Sequence, residues 1–241
     1  MSLSKPRRTS TPGLRHVFVT GTDTDVGKTV FTSAFLAWVR RHDIPSIGFK
    51  PLASGSRDDA ERLYEAQERQ VPMDVINPWH FAEPVAPLLA ARNEGRRVTL
   101  DALAGHIEAA SRGLRLSVIE GAGGLLSPLM EGADAPELID RLGAAPLVVA
   151  VDRIGVVGQV RLVWAALSVA ARARAQVILM EALGPDASAA TNRTLLGEYL
   201  PPERIHAFPR LRAGELRKFG GERVAATCRG VADRLGAGPA A

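Results

Sequence analysis

Between residues 21 and 29 the chain reads Gly21-Thr22-Asp23-Thr24-Asp25-Val26-Gly27-Lys28-Thr29. A glycine-bearing loop ending in Gly-Lys-Thr can wrap backbone N–H groups around phosphate oxygens, with the lysine neutralising charge and the hydroxyl free for a magnesium ion. Gly21 falls one residue before the first glycine of the common G-x-x-x-x-G-K-[ST] spacing, so this loop is a variant of that motif. A second cation stands in Lys50-Pro-Leu-Ala-Ser54-Gly-Ser56. A third stretch, Glu120-Gly121-Ala-Gly123-Gly124, joins a carboxylate to glycines that let a ligand approach the backbone closely. Asp58-Asp59 adds two more carboxylates, which suit either a metal ion or the first turn of a helix. Two ammonium groups, a hydroxyl and carboxylates are the set that phosphoryl transfer uses, because charge spreads over the moving oxygens and fixed cations stabilise it.

These groups act together only if the fold brings positions 28, 50 and 120 to one place. Short runs rich in β-branched and apolar residues at 17–20, 46–50, 114–120, 146–152, 176–181 and 204–208 predict strands. Helical patterns fill 27–42, 58–69, 99–112, 156–172 and 191–199, with Thr99 placed to cap the third of these. Strands alternating with helices of this length build βαβ units. The expected fold is therefore α/β, a mostly parallel sheet with helices on both faces, in one domain over residues 16–235. Ligands of such sheets sit beyond the carboxyl ends of the strands. Gly21–Thr29, Lys50–Ser56 and Glu120–Gly124 all follow predicted strands, so one crevice can collect them. Residues 1–15, basic and without an acid, read as a disordered lead-in, and 236–241 as a flexible end.

Composition narrows the classes further. With 241 residues, 46% hydrophobic and 23% charged, the chain has the make-up of a folded globular protein. No apolar run approaches the ~18 residues a bilayer requires, so no membrane partner is expected. The single cysteine, Cys228, excludes an internal disulfide and points to a reducing, cytoplasmic setting. Of 30 basic residues only four are lysines, leaving 30 − 4 = 26 arginines, and these are scattered along the chain. Aromatics make up only 5%, and no base-stacking signature accompanies the arginines, so no nucleic-acid partner is expected either. Cys228 and the five histidines have no metal-ligand spacing.

The four stretches GTDTDVGKT at 21–29, KPLASGS at 50–56, NPWHFAEPVAP at 77–87 and EGAGGLLSPL at 120–129 resemble, in order and approximate spacing, the serial motifs of the dethiobiotin synthetase family. The resemblance is close over residues 16–130 and holds in outline beyond them. It implies a P-loop domain that pairs into a homodimer with its small-molecule substrate lying across the interface. It also implies the use of ATP and Mg2+ to close the ureido ring of dethiobiotin from 7,8-diaminononanoate and CO2 or bicarbonate, through a phosphorylated carbamate. Carried over by position, Lys28 holds the nucleotide phosphates, and Thr29, Asp59 and Glu120 surround magnesium. Lys50 and Ser54 meet the carbamate and the moving phosphoryl group, with Thr24 in the same pocket. Asp25, Val26, Gly27, Gly121, Gly123, Gly124 and Pro209 complete the nucleotide contacts.

Three segments depart from the family pattern. Asp25 stands where the family often has glutamate, and Gly155-Val-Val-Gly158-Gln159 replaces a Gly-x-x-Asn-His segment that helps bind the substrate's carboxylate tail. Met180-Glu181 occupies the place of a purine-reading Asn-Asp, which predicts weak discrimination among nucleoside triphosphates. An amide-forming ligase of the cobyrinate synthase type would share the phosphate machinery and change the acceptor. A partition-type ATPase switch would carry a second lysine early in its loop, where this chain has Asp23.

Overall fold

The computed structural model describes residues 15–184 and 186–238. The lead-in expected over 1–15 lies outside them, except that Arg15 already pairs in the first strand. That strand, β1 (Arg15–Gly21), is buried along most of its length. Successive strand residues point to opposite faces. Val17 and Val19 accordingly enter one apolar cluster, and Phe18 enters another.

Six parallel strands form the main sheet in the order β2, β5, β1, β6, β7, β8, where β2 is Ser46–Phe49, β5 Leu116–Glu120, β6 Ala145–Asp152, β7 Gln176–Glu181 and β8 Ile205–Phe208. On one face α1 (Lys28–Arg41) buries Phe31, Phe35 and Trp38, joined by α2 (Asp58–Ala66). Phe31 stacks on Phe35 and meets the Phe208 ring edge-on. Each such ring contributes about 2 kcal/mol through burial. The opposite face is covered by α5 (Leu100–Ala110) and α6 (Ala135–Leu142), which pack on Ile47, Phe49 and Ile119. The expected α/β architecture with helices on both faces is the one observed, and Thr99 does cap α5, accepting from the Ala102 N–H at 3.2 Å.

Several elements were not evident from sequence patterns. A separate two-stranded parallel ribbon pairs β3 (Leu52–Ser54), which follows β2, with β4 (Trp79–Phe81), which lies between α3 (Met73–Ile76) and α4 (Pro87–Asn93). The single helix expected over 156–172 is two: α7 (Val156–Ala166) and α8 (Val169–Arg172). Leu167 turns extended, with ψ 147°, and is 2% exposed in the core, while Ser168 restarts the chain by accepting from the Ala171 N–H at 3.1 Å. The helix expected over 58–69 stops at Ala66, since Glu68 and Arg69 take left-handed φ values. Beyond β7, α9 (Ala189–Gly197) answers to the helix expected over 191–199, whereas α10 (Ala213–Arg217) and α11 (Ala225–Arg234) had no sequence expectation. Of residues 236–241, Ala237 is fully buried and its N–H donates to Ala232 O at 2.9 Å.

Candidate active site

The parallel order puts the carboxyl ends of β1, β2 and β5 side by side, and each delivers one charged residue. β1 passes into the 21–27 loop, whose backbone is held by the Thr22 N–H donating to Val149 O at 3.0 Å. Asp25 and Gly27 both have positive φ, 56° and 96°. At Gly27 a Cβ would stand 2.9 Å from Met180 Cε, so side-chain contact and backbone conformation both favour glycine there. No side chain caps α1, which leaves the amides of its first turn available to an anion. The Lys28 ammonium folds back and donates to Asp23 O at 2.9 Å. Burial, then repulsion from Lys50, lower its pKa from the ordinary lysine value.

Lys50 follows β2 and is 4% exposed. Its ammonium donates to Asp59 Oδ2 at 2.6 Å, Glu120 Oε1 at 2.8 Å and Gly121 O at 3.2 Å. Burial works against that charge, but Glu120 and Asp59 outweigh it and hold the pKa above the usual lysine value. Burial would likewise raise Asp59, and Lys50 instead draws it below the ordinary carboxylate range. Thr29 Oγ1 lies 2.8 Å from Asp59 Oδ1 and 2.6 Å from Glu120 Oε1. Its single proton cannot serve both. Glu120 is fully buried, and its second oxygen, Oε2, has no hydrogen-bond partner among the described residues.

This cluster therefore carries more acceptors than donors. Two carboxylates and a hydroxyl beside a phosphate loop are the oxygen donors magnesium takes, the remaining positions being filled by water and phosphate. The orphaned Glu120 oxygen and the shared Thr29 proton fit such an ion.

A cleft of about 680 Å³ opens over these groups. Thr24, Asp25, Gly27, Lys28, Thr29, Lys50, Ser54, Asp59 and Gly123 of the expected set line it. Glu120 reaches the cluster from beneath through Lys50 and Thr29. Ser54 Oγ donates to Val85 O at 2.6 Å, so its proton is engaged in tying β3 to the next loop. The remaining expected contacts are not part of the lining. Val26 is packed into the core, leaving only its backbone to the loop. Gly121 uses its N–H on Val19 O and its carbonyl on Lys50, and the Gly124 N–H donates to Ser127 Oγ at 2.8 Å. Pro209 follows β8, at the edge of the sheet and three strands from β1.

Other residues complete the site without a spacing signal. Pro84, Val85, Ala86 and Pro87 form one wall of the cleft, and Ser127 and Pro128 another. The buried Asn77 donates to Lys50 O at 2.7 Å and accepts from Arg57 Nε at 3.0 Å, which anchors the chain at the lysine. Gln67, also buried, clamps both backbone groups of Gly48. The NPWHFAEPVAP motif contained the Asn77 anchor and the proline wall, although no role followed from its residue types.

A parallel sheet with a glycine loop, a lysine and a hydroxyl at the start of the first helix defines the P-loop class of nucleotide-binding α/β proteins. Solved structures agree at the level of the fold alone. The MinC:MinD cell division complex of Aquifex aeolicus matches with TM-score 0.57 at 13% identity, over 92% of this chain and 95% of that one. Apo McdA of Cyanthece matches with TM-score 0.55 at 13% identity, over 92% of this chain and 100% of that one. A family model described as an AAA domain matches residues 15–226. Among curated proteins, the ATP-dependent dethiobiotin synthetase BioD of Anaeromyxobacter sp. (strain Fw109-5) is 37% identical over 72% of this chain and 79% of its own length. That of Chromohalobacter salexigens is 40% identical over 60% and 65%. The chain belongs to the dethiobiotin synthetase family.

Proposed function

We propose that this protein closes the ureido ring of dethiobiotin from 7,8-diaminononanoate, CO2 or bicarbonate, and ATP, a step of biotin synthesis. One observation carries the reading: the buried Lys50 ammonium, gripped by Asp59 and Glu120, at the floor of the cleft that also holds Lys28 and Thr29. One amine of the substrate takes up CO2 as a carbamate and releases a proton. A carbamate oxygen attacks the γ-phosphorus and ADP leaves. The second amine then attacks the carbamoyl carbon, and phosphate departs with the carbamate oxygen that bridged it.

Lys28 and the amides that open α1 bind the phosphates and fix the line of attack. Lys50 is placed to neutralise charge on the carbamate and on the transferring group, a role that needs a compact, fully protonated ammonium. Its raised pKa keeps it in that form. Thr29, Asp59 and Glu120 are the residues that would hold Mg2+, which supplies further charge neutralisation at the phosphates when bound. The Ser54 hydroxyl, its proton committed to Val85, presents lone pairs to an incoming N–H. Two exposed leucines, Leu126 and Leu162, share a groove of about 470 Å³ beside the P-loop, which supports the homodimer the family resemblance implies. No helix among the described residues is long and apolar enough to cross a membrane. The buried, free thiol of Cys228 accords with a reducing, cytoplasmic setting.

The test is phosphate release with substrates omitted one at a time. Release should require the diamine, bicarbonate and Mg2+ together. Equal release without the diamine would instead favour a nucleotide-driven switch.

A further inference from the structure

Across the sheet from the P-loop, at the amino ends of the strands, lies a second cavity of about 280 Å³ among Arg15, His16, Arg174, Gln176, Arg204 and Arg234. Arg15 and His16 open β1, Gln176 opens β7, Arg174 follows α8, Arg204 precedes β8 and Arg234 ends α11. Among the described residues the lining holds four guanidinium groups and no carboxylate. Arg174 donates to Ala144 O and Arg204 to Arg172 O, both neutral acceptors. Only Arg234 has an acidic neighbour among the described pairs, Glu203 at 3.8 Å, with both side chains about half exposed. A pair that open to water compensates little charge.

The floor is polar as well. Gln176 is 2% exposed and its Oε1 accepts from His206 Nε2 at 2.7 Å. Burial holds His16 below its ordinary pKa, so the positive charge of the cavity comes from the guanidiniums.

Several like charges around one concavity repel each other and focus a positive potential into it. Guanidinium groups also present planar forks that match phosphate and carboxylate oxygens in pairs. We propose that this cavity binds a small multivalent oxyanion, a phosphoanhydride or a polycarboxylate, independently of the nucleotide site. Its size excludes a whole nucleoside triphosphate and suits an anion of the dimensions of pyrophosphate or citrate.

Calorimetric titration of the full chain tests this, with Mg2+ in excess and the P-loop saturated by a non-hydrolysable ATP analogue. Pyrophosphate is titrated in one arm and citrate in the other, at constant ionic strength. Saturable one-site binding is expected in at least one arm, and the stronger arm identifies the class of anion. The R15S/R234S double variant, whose two arginines are exposed, should weaken it about tenfold or more. An R92S/R223S control, altered elsewhere on the surface, should bind as the parent does. The proposal is overturned by no saturable heat up to about 10 mM in either arm, by binding that vanishes once the ATP analogue is present, or by equal affinity in R15S/R234S. In each of those cases Arg174 and Arg204 serve the carbonyls of Ala144 and Arg172, and the cavity is not an anion site.

Discussion

Lys50 Nζ and Glu120 Oε1 stand 2.8 Å apart with side chains only 5% and 0% exposed, so the cleft is built on an ion pair removed from solvent. Asp59 closes the other side at 2.6 Å, with its side chain 46% exposed. The pair is thus dry on the Glu120 side and wet on the Asp59 side, where a substrate would arrive. Breaking a buried pair by removing one partner leaves a charge with nothing to compensate it.

Lys50→Ala should therefore show two effects that Lys28→Ala does not combine. Turnover should fall with a barrier cost of ~3 kcal/mol or more, because the moving phosphoryl group loses its fixed cation. The unliganded protein should also lose about 3 kcal/mol of stability, because Glu120 is left buried and unpaired. Lys28→Ala should lose nucleotide binding and unfold near the parent's denaturant midpoint. Measuring kcat, nucleotide affinity and denaturant unfolding on both variants checks the split; near-normal turnover in Lys50→Ala would remove its assigned role.

Nucleotide choice should be loose. Met180 fills the space a Cβ on Gly27 would need, and Glu181 Oε2 is already engaged by the Arg210 N–H at 2.9 Å, so neither supplies an amide to read a purine. Rates with ATP, GTP and CTP should give kcat/KM values within about tenfold of one another. A strong preference for ATP would show that other groups read the base.

Gly123→Ala should damage both stability and turnover. Gly123 has φ 70°, and a Cβ there would collide with Ser127 Oγ, the atom that accepts from the Gly124 N–H. Strain of this kind costs on the order of 1–3 kcal/mol. Gly132→Ala, equally positive in φ but with open space around it, should lose stability and keep its rate. Thermal unfolding and kcat on the two variants separate backbone strain from damage to the cleft wall.

Acid stability should depend on His206. Burial, aided by Arg193 and Arg234, pulls its pKa from 6.5 to about 4 in the folded chain. The unfolded chain therefore binds a proton that the folded chain refuses, and stability falls as pH drops from 6.5 toward 4. Asp59 is also held low, so its contribution is present above its ordinary 3.8 and is lost only at still lower pH. His206→Gln should flatten the slope in the upper window, as read by urea unfolding at pH 7 and pH 4.5. An unchanged slope would remove this role.

Much of the site was legible because it lies where strands end. The loop that carries Lys28, Lys50 itself and Glu120 each follow an apolar run, and parallel strands share one carboxyl edge, so periodicity alone brought three distant charges together. Lys50 needed no homologue to be noticed in a chain with only four lysines. Asn77 and Gln67 were not legible, since a buried amide bonding backbone 19 to 27 residues away leaves no period in the sequence. The β3–β4 ribbon was missed for its three-residue strands, too short for alternation to register. The break at Leu167-Ser168 lay inside a stretch with apolar residues on both sides of it, and the Ser168 cap is what distinguishes it from a continuous helix.

The most direct measurement follows an oxygen atom. With 18O-labelled bicarbonate, the diamine, Mg2+ and ATP, the released phosphate should carry one labelled oxygen, because the carbamate oxygen that attacks the γ-phosphorus leaves with it. Phosphate free of label while dethiobiotin forms would mean that water, not the carbamate, receives the phosphoryl group, and would contradict the role assigned to Lys50.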